Sequence, residues 1–311
     1  MKILITGGAG YIGAVLTQVL LERGDSVRCY DTLHSGIDPL LPFFRNPRYE
    51  VVQGDIRDGE ALKESVRDVD AICHLAAIVG YPACKRDPEL AMEVNVRGTR
   101  LLNSVRSTNQ LLVFANTGSS YGAVADGTCT EDTPLNPQTV YGRTKMEAEK
   151  ILLDSGNAVS YRLATAFGLS PALRLDLLVN DFCYQALRNR NLIIYEPHVR
   201  RTFIEVSDIA RALIHALDNY DPMRGQVYNC GDERMHASKL EVARLIQQQT
   251  DFYLHIAEIG KDEDQRNYQV AYDKIRATGY HTTITLDEGV RQILRAFQFL
   301  HVPNPYIRVG V

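Results

Sequence analysis

Short apolar runs and amphipathic stretches alternate from the first residues of the chain. Residues 2–6 contain a short apolar run that predicts a buried parallel strand, and residues 14–22 carry apolar side chains at helical spacing. Gly24 follows this helix, as glycine often does after a last turn. A second strand is predicted at residues 26–30 and ends in Asp31. The chain therefore opens as strand, glycine-rich turn, helix and strand.

The same alternation continues to residue 163. The pattern predicts strands at residues 49–53, 71–77, 111–116 and 158–163, and helices at residues 59–66, 89–108 and 141–153. Such alternation predicts an α/β fold with a doubly wound parallel sheet of the Rossmann type. Ligands of these sheets lie beyond the carboxyl ends of the strands. Five predicted strand-end residues should therefore line one crevice: Asp31, Asp55, Ala76, Ala77 and Thr117.

The rhythm changes beyond Gly168. The pattern predicts a loop and helix over residues 171–190, short strands at 192–195 and 202–206, a helix capped by Ser207-Asp208 and running to Leu217, a strand at 226–229, and helices at 238–249 and 286–299. We interpret these elements as a smaller C-terminal α/β lobe that closes over the crevice. The predicted dinucleotide-binding domain is residues 1–167 plus about 206–231, and the substrate-binding lobe is residues 168–205 plus 232–311.

Composition narrows the class of protein. The chain has 311 residues, is 45% hydrophobic and carries a net charge of −4, which speaks against general nucleic-acid or acidic-membrane binding. No apolar run is long enough to span a bilayer, and the first strand meets glycines too soon for a signal peptide. The six cysteines lack metal-ligand or C-x-x-C spacing. We therefore expect a cytoplasmic protein without a metal site, a membrane contact or a nucleic-acid partner.

The turn after the first strand carries the clearest chemical signal. Gly7 allows a tight turn, Gly10 lets backbone approach a pyrophosphate, and Gly13 lets helix and strand pack closely. The helix start offers N–H groups and a positive dipole end to phosphates. Asp31, about twenty residues further on, is placed to accept hydrogen bonds from the adenosine ribose. Because its carboxylate would repel a 2′-phosphate, the motif favours NAD over NADP, with a purely structural glycine turn as the alternative.

Tyr141 and Lys145 lie four residues apart on a predicted helix and therefore share one face. A phenol with a pKa near 10 is a poor base, but a nearby ammonium and a positive nicotinamide ring favour the phenolate. Tyr141 can then take a proton from a substrate hydroxyl while hydride leaves the same carbon. Thr117 can share that proton. A surface Tyr/Lys pair and a turn-capping threonine are the structural alternatives.

Further polar residues are candidates by type alone. Asn95, in the predicted helix 89–108, is expected either to satisfy a backbone group near the site or to be a buried structural asparagine. Arg174, Arg201 and Arg266 fall in the predicted lobe, and guanidinium groups suit phosphates. As a set they are expected to hold a diphosphate, although each alone also fits a solvated surface position.

Together these motifs resemble the extended short-chain dehydrogenase/reductase family, in its nucleotide-sugar epimerase and dehydratase branch. The resemblance covers nearly the whole chain. Its motifs are G-x-x-G-x-x-G at residues 7–13, the acid at Asp31, G-D-I-x-D at 54–58, L-A-A at 75–77, N-x-x-G-T at 95–99, Y-x-x-x-K at 141–145 and R-x-F-I-x-V-x-D-I-A at 201–210. The resemblance also implies a homodimer formed through the helices 89–108 and 141–153.

The resemblance implies a set of site residues. The catalytic residues are Thr117, which lies four residues before Tyr121, with Tyr141 and Lys145. The cofactor-binding residues for NAD are Gly7, Gly10, Tyr11, Ile12, Gly13, Asp31, Thr32, Asp55, Ile56, Leu75, Ala76, Ala77, Asn95, Tyr141 and Lys145. The substrate-binding residues for a nucleotide-diphosphate sugar are Thr117, Thr165, Arg174, Asn180, Arg201 and Arg266.

Departures from the family pattern narrow the reaction. Dehydratases carry Asp-Glu after the catalytic threonine and decarboxylases a Glu two residues after it, whereas Gly118 and Ser119 stand here. The R-Y-x-N strand end reads R-L-A-T at residues 162–165, and residues 162–180 resemble a subgroup for GDP-linked hexoses and heptoses. The resemblance therefore implies a 4-epimerase of a GDP- or UDP-linked hexose or heptose, acting through a transient 4-keto sugar. A net 4-dehydrogenase or 4-ketoreductase and a catalytically silent NAD-sensing protein remain as alternatives.

Overall fold

The computed structural model describes residues 1–122, 124, 127–258 and 268–302. Its strands are β1 (Lys2–Thr6), β2 (Ser26–Asp31), β3 (Tyr49–Gln53), β4 (Ala71–His74), β5 (Leu111–Thr117), β6 (Thr128–Cys129), β7 (Val159–Leu163), β8 (Thr165–Phe167), β9 (Asn191–Ile194), β10 (Arg200–Glu205), β11 (Val227–Cys230), β12 (His236–Ser238), β13 (Tyr253–Ile256) and β14 (Gln269–Val270). Its helices are α1 (Tyr11–Arg23), α2 (Gly59–Ser65), α3 (Tyr81–Arg86), α4 (Pro88–Met92), α5 (Thr99–Val105), α6 (Val140–Asp154), α7 (Leu178–Arg188), α8 (Val206–Asp218), α9 (Tyr220–Met223), α10 (Lys239–Gln247), α11 (Asp273–Arg276) and α12 (Leu286–Phe297).

Seven strands form one parallel sheet in the order β11-β7-β5-β4-β1-β2-β3. Strand β1 pairs with β2 on one side and with β4 on the other, so the strand order reverses at the middle of the sheet. A crevice opens at the carboxyl ends of the strands where such an order reverses. The predicted doubly wound parallel sheet is confirmed, and the end of β1 lies at this switch point.

Both faces of the sheet are buried, as a parallel sheet requires. Ile3 and Ile5 of β1 pack in a core with the apolar faces of α1 and α8, whereas Leu4 points to the opposite core against α2, α5 and α6. This alternation follows from the two-residue period of a strand. The apolar run of β1 therefore serves two helix layers at once.

A second hydrophobic core lies outside the main sheet. It contains Phe167 and Phe203, whose ring centroids lie 6.3 Å apart, together with the apolar faces of α7, α10 and α12. Strands β12, β10 and β8 form a separate three-stranded sheet beside it. This core corresponds to the predicted lobe, whose boundaries remain a prediction. Tyr272, Ile275 and Tyr280, assigned to the lobe from the sequence, pack instead into the core of the main sheet.

Two local predictions were wrong in detail. The helix predicted at residues 89–108 is interrupted by a π-helical turn at Glu93–Gly98 and ends at Val105. A Cβ on Gly98 would lie 2.6 Å from the Ile56 side chain, so this turn packs tightly on the loop after β3.

No helix in the described part of the chain has the length and apolar character needed to cross a membrane.

The second correction concerns the start of α8. The sequence suggested a cap at Ser207-Asp208, but the N-cap is Glu205, whose carboxylate accepts the N–H of Ser207 at 2.7 Å. The Asp208 carboxylate instead accepts the N–H groups of Thr283 and Ile284, at 2.9 and 3.0 Å. Asp208 therefore fixes a distant segment rather than its own helix start.

Candidate active site

The glycine turn connects β1 to α1 at the switch point of the sheet. Gly7 has a left-handed φ of 75°, and a Cβ on Gly13 would lie 2.5 Å from the carbonyl oxygen of Gly7. Gly10 is the N-cap of α1, and Ala14 donates the first bond of the helix to its carbonyl oxygen at 2.9 Å. The N–H groups of residues 11–13 precede that bond, so they are available to an anion. This cradle fits a pyrophosphate, and Tyr11 and Ile12 contribute to it through their backbone.

Asp31 ends β2 and braces the glycine turn. Its Oδ2 accepts the Ala9 N–H at 3.1 Å, and its Oδ1 accepts the Leu33 N–H at 2.9 Å. Burial raises the pKa of Asp31, and these two N–H groups work in the opposite direction. Because a carboxylate has about four lone-pair sites, two remain for ribose hydroxyls. Asp31 thus lies beside the cradle, as the motif predicted.

A buried chain of hydrogen bonds links β1, β4 and the π-helical turn. The Ala76 N–H donates to Thr6 Oγ1 at 3.3 Å, and Thr6 Oγ1 lies 2.7 Å from His74 Nδ1. His74 Nε2 lies 2.9 Å from Thr99 Oγ1, whose hydroxyl donates to the carbonyl of Asn95 at 2.6 Å. Because that hydroxyl proton is committed, Nε2 of His74 must donate and Nδ1 must accept. Burial lowers the pKa of His74 to about 3, so the ring is neutral and structural.

The Asn95 side chain holds the loop that follows β4. Its Oδ1 accepts the N–H of Ile78 at 2.8 Å, and its Nδ2 donates to the carbonyl of Ile78 at 3.0 Å and to Thr144 Oγ1 at 3.0 Å. The prediction that Asn95 satisfies a backbone group near the site is confirmed. Its contact with the cofactor remains a prediction. Thr144 directly precedes Lys145, so the same amide also ties this loop to α6.

Helix α6 presents the Tyr/Lys pair. Thr139 is its N-cap and accepts the Gly142 N–H at 3.0 Å, which fixes the start of the helix at Val140. Tyr141 therefore lies in the first turn, and Lys145 lies one turn later on the same face. Tyr141 is half-buried, whereas Lys145 is only 3% exposed.

The Lys145 ammonium is held in an apolar setting. Its Nζ lies 3.9 Å from the ring centroid of Phe114 on β5, as in a cation–π contact. Burial lowers the pKa of Lys145 to about 7, although the charges of Glu149 and Cys84 act to raise it. A lysine poised near neutrality responds strongly to any anion that forms beside it.

Thr117 is the last residue of β5 and the N-cap of a 3₁₀ turn over Gly118–Tyr121. Its Oγ1 accepts the N–H of Ser119 at 3.1 Å, and its hydroxyl donates to Ser119 Oγ at 3.1 Å. The turn-capping alternative therefore holds. A hydroxyl oxygen has two lone pairs, so Thr117 can still accept one further hydrogen bond.

A buried ion pair lies behind Thr117 and Lys145. Glu149 of α6 and Arg162 of β7 approach to 2.8 Å, and both side chains are at most 6% exposed. The sequence prediction did not include either residue in the site. Glu149 is the fourth residue after Lys145, so it continues the buried face of α6, and that spacing was the available signal.

A narrow cleft lies between the end of β5 and the three-stranded sheet. Gly118 after β5 lines one side, and Thr165 of β8 with Arg200 and Arg201 of the neighbouring β10 lines another, together with Tyr268. The Tyr268 hydroxyl donates to the Gly118 carbonyl at 2.7 Å, which joins the two sides beside Thr117. The structure thus brings the predicted substrate residues Thr165 and Arg201 together at the end of β5.

Arg174 and Asn180 lie in a different place, where the lobe meets the start of α1. The Arg174 guanidinium forks onto Asp176, with Nε 3.0 Å from Oδ1 and a second contact between Nη2 and Oδ2. Burial acts to lower the pKa of Arg174, but Asp176 raises it on balance, with smaller contributions from Tyr141 and Tyr11. Arg174 therefore has a carboxylate partner already and lies near Tyr141.

The Asn180 amide is fully buried and binds backbone. Its Oδ1 accepts the Gly168 N–H at 3.0 Å, and its Nδ2 donates to the carbonyls of Gly168 and Arg174 at 3.1 and 3.0 Å. Tyr11 donates its hydroxyl to the same Gly168 carbonyl at 2.9 Å. In this arrangement Asn180 positions the segment over α1, and its predicted contact with substrate phosphates remains a prediction.

The other predicted cofactor residues lie around the crevice at the ends of β2, β3 and β4. Asp55 is paired with Arg57 at 2.6 Å, which lowers the pKa of Asp55. Ile56 is buried in the core between α2 and α5, and Thr32 follows β2 at the surface. Leu75 and Ala77 are half-buried after β4, as is Ala76. Arg266 lies outside the described residues.

Comparison with known proteins gives a consistent result. The family model described as "NAD dependent epimerase/dehydratase family" matches residues 3–231. The UDP-glucose 4-epimerase of Lactobacillus helveticus is 35% identical over 182 residues, which span 55% of this chain and 53% of that protein. A low-salt glycan biosynthesis protein of Haloferax volcanii is 29% identical over 302 residues, spanning 93% of this chain and 96% of that protein.

A solved structure shows the same fold over almost the whole chain. The dTDP-glucose 4,6-dehydratase of Streptomyces venezuelae, with NAD and TYD bound, superposes with a TM-score of 0.84. It is 25% identical, and the match covers 96% of this chain and 97% of that chain. The chain therefore belongs to the NAD dependent epimerase/dehydratase family, the nucleotide-sugar branch of the extended short-chain dehydrogenases/reductases, and is an NAD-dependent enzyme of that family.

Proposed function

We propose that the protein is a nucleotide-diphosphate-sugar 4-epimerase that uses NAD and acts through a transient 4-keto sugar on a GDP- or UDP-linked hexose or heptose. The observation that carries this proposal is the arrangement of α6 against β5. Tyr141 and Lys145 share one face of α6, the Lys145 ammonium lies over Phe114 of β5, and β5 ends at Thr117. A phenol, an ammonium and a hydroxyl are thereby directed to one end of the sheet.

The glycine cradle supports NAD as the cofactor. A Cβ on Gly13 would strike the carbonyl oxygen of Gly7, so this glycine lets α1 lie close to the end of β1, and Asp31 lies beside the turn with acceptor capacity left. When bound, NAD supplies the hydride acceptor and donor that interconversion of a C4 alcohol and ketone requires. The backbone of residues 10–13 would hold its pyrophosphate, and Lys145 its nicotinamide ribose.

The chain's own groups manage the proton. Tyr141, as a phenolate favoured by the Lys145 ammonium, takes the proton of the C4 hydroxyl while the C4 hydride leaves. Thr117 forms a hydrogen bond with the same C4 oxygen of the sugar. After the keto sugar has presented its other face, Tyr141 returns the proton to the oxygen as hydride returns to C4. Proton and hydride are both restored, so epimerisation needs no net oxidant.

Gly118 and Ser119 support this proposal over elimination. Expulsion of a sugar 6-hydroxyl calls for a general acid to protonate it, and the two residues after Thr117 lack the Asp-Glu pair that the dehydratases of the resembled family carry there. Of the cleft arginines, Arg201 is the one that the family pattern assigns to the diphosphate. Its place beside Thr165, at the mouth of the sheet, agrees with that assignment.

The test is incubation of the purified protein with UDP- and GDP-linked hexoses and heptoses, with and without added NAD. Product stereochemistry is read by NMR, and cofactor reduction by absorbance. A C4-inverted sugar formed without added cofactor supports the epimerase. Keto sugar with an equal amount of reduced cofactor would establish the dehydrogenase alternative, and bound NAD without turnover of any sugar would favour a sensing protein.

The proposal includes a homodimer formed through the segment 89–108 and α6, in the cytoplasm. Both features come from the family resemblance. Sedimentation equilibrium of the purified protein tests the dimer directly, since the monomer mass is 34.9 kDa.

A further inference from the structure

Glu149 is a buried charged residue that the proposed mechanism does not use. It lies on α6, one turn after Lys145, and its side chain is 4% exposed. A buried carboxylate is costly unless its oxygens are well bonded. The hydrogen-bond donors to the Glu149 carboxylate therefore show which elements it holds together.

Two strands donate to the Glu149 carboxylate. Oε2 accepts Asn116 Nδ2 at 2.6 Å and the Ser160 hydroxyl at 2.7 Å, and Oε1 accepts Arg162 Nη2 at 2.8 Å. Asn116 lies on β5 directly before Thr117, whereas Ser160 and Arg162 lie on β7. The carboxylate thus fixes α6 against the strand end that carries the catalytic hydroxyl.

Arg162 carries the connection to the far end of the turn after Thr117. Its Nη1 donates to the Tyr121 hydroxyl at 3.0 Å, and that hydroxyl donates to Asn229 Oδ1 at 2.6 Å. Tyr121 is the last residue of the 3₁₀ turn that Thr117 caps. The turn is therefore held at its start through Asn116 and at its end through Tyr121, both from Glu149.

The same carboxylate acts on Lys145 through its charge. Among the described residues, the titratable groups that act on Lys145 include Glu149 on α6, Cys84 on α3 and the neutral His74 on β4, and Tyr141 lies one turn earlier on α6. Among them, Glu149 does most to raise the pKa of Lys145 against the cost of burial. If the Glu149 carboxylate were removed, the Arg162 guanidinium would lose this counter-charge. Its positive charge would then also disfavour the protonated form of Lys145.

We propose that Glu149 is a positioning residue of the catalytic site, which sets the register of Thr117 against Lys145 and places a carboxylate one helical turn from the Lys145 side chain. The inference rests on the proposed function, because it assumes the catalytic roles of those two residues. It adds a residue that touches no substrate or cofactor and that acts through Asn116, Arg162 and Lys145.

The first test compares Asn116→Ala with Ser160→Ala. Each variant removes one hydrogen bond to the same Oε2, without leaving a charge unpaired, so their losses in melting temperature should be similar. Only Asn116 adjoins Thr117. We therefore expect kcat to fall about 10- to 100-fold in Asn116→Ala, as for a misplaced catalytic group, with KM little changed. Ser160→Ala should stay close to wild type. Equal kcat losses in the two variants, or none in Asn116→Ala, would overturn the positioning role.

The second test needs no turnover. The ¹³Cε signal of Lys145, assigned with a Lys145→Met variant, is titrated by NMR in wild type, Glu149→Gln and Ser160→Ala. We expect the titration midpoint to fall in Glu149→Gln and to stay near the wild-type value in Ser160→Ala. An unchanged midpoint in a folded Glu149→Gln protein would refute the charge role.

If Glu149→Gln does not fold, Glu149→Met/Arg162→Met replaces it, since buried ion pairs often exchange for apolar pairs without loss of stability. A double variant with the wild-type Lys145 midpoint and kcat would contradict the inference. A wild-type protein inactive on every nucleotide sugar would instead contradict the proposed function, and the NMR titration would still report on Glu149.

Discussion

The crevice at the glycine turn and the cleft under the lobe are built in different ways. In the crevice, polar side chains hold nearby backbone: Asp31 holds Ala9 and Leu33, and Asn95 holds Ile78. In the cleft, long cations are held by carboxylates from other elements, as Arg200 is by Glu241 at 2.9 Å. Short polar side chains on backbone give fixed geometry, whereas ion pairs between elements set how much charge faces the ligand.

This difference ties the chemical step to the crevice and substrate recognition to the cleft. The groups that would handle cofactor and proton are attached to the ends of sheet strands and to α6, which pack in the two cores on either face of the main sheet. The groups that would recognise the sugar nucleotide lie where two cores meet, and their charges are partly neutralised within the protein. We therefore expect changes in the crevice to affect turnover or cofactor binding, and changes in the cleft to affect substrate affinity.

The sharpest test of the crevice is Tyr141→Phe. Loss of the only proposed base should lower kcat by about 10²- to 10⁴-fold, the usual contribution of a positioned general base. NAD affinity should stay near the wild-type value, because the phenol oxygen is not part of the glycine cradle. Steady-state kinetics and NAD titration by calorimetry measure the two quantities. Wild-type turnover would refute the assigned role of Tyr141.

The matching test of the cleft is Arg201→Met. A charge-assisted hydrogen bond contributes about 1.5–3 kcal/mol, so KM for the nucleotide sugar should rise about 10- to 150-fold with kcat less affected. Arg234→Met is the control, because that side chain is 73% exposed and paired with Asp232 outside the cleft. An equal rise in KM for both variants, or a loss confined to kcat, would break the division between crevice and cleft.

The crevice was also the part that the sequence could predict. Gly7, Gly13 and Asp31 act through their own backbone or near neighbours, and the four-residue spacing of Tyr141 and Lys145 follows from helix geometry. Such local signals can be read from the sequence without knowledge of the tertiary contacts. The parallel sheet followed from strand and helix alternation for the same reason.

The missed features depend on partners far along the chain. His74 bonds to Thr6, 68 residues away, and the Asp208 carboxylate accepts N–H groups 75 and 76 residues away. Nothing near these residues in sequence distinguishes them from an ordinary strand end or helix cap. Arg174 was predicted to bind phosphate because arginine suits that ligand. The folded structure shows that its guanidinium is paired with Asp176.

Gly13→Ala measures how rigid the crevice is. The added Cβ would lie 2.5 Å from the Gly7 carbonyl oxygen, so β1 or α1 must shift, at a cost of about 1–3 kcal/mol in the free energy of unfolding. NAD affinity should fall with it, because the cradle moves. Gly59→Ala is the control, since its Cβ would meet only Leu101 at 3.5 Å. Urea denaturation and NAD titration of both variants check the expectation, and wild-type NAD affinity in Gly13→Ala would contradict a rigid cradle.

The last prediction concerns pH and the burial of Lys145. Its pKa is about 7 in the folded protein against a usual value of 10.5, so between these values the unfolded chain binds more protons than the folded one. Stability should therefore rise with pH in that interval, by at most about 1.4 kcal/mol per unit from this group, and the contribution should level off below about 7. Lys145→Met lacks this rise, whereas Lys63→Met, at an exposed site on α2, should keep it.

Urea denaturation of the three proteins across the interval measures the slope. The stability of wild type relative to Lys145→Met should increase with pH, because the cost of a buried ammonium disappears as it loses its proton. NAD is left out of these samples, since a ligand that binds only the folded state would add its own stabilisation. If the wild-type and Lys145→Met curves run parallel, Lys145 is as well solvated as Lys63. The apolar setting assigned to Lys145 would then have to be abandoned, and with it the view that burial tunes this group.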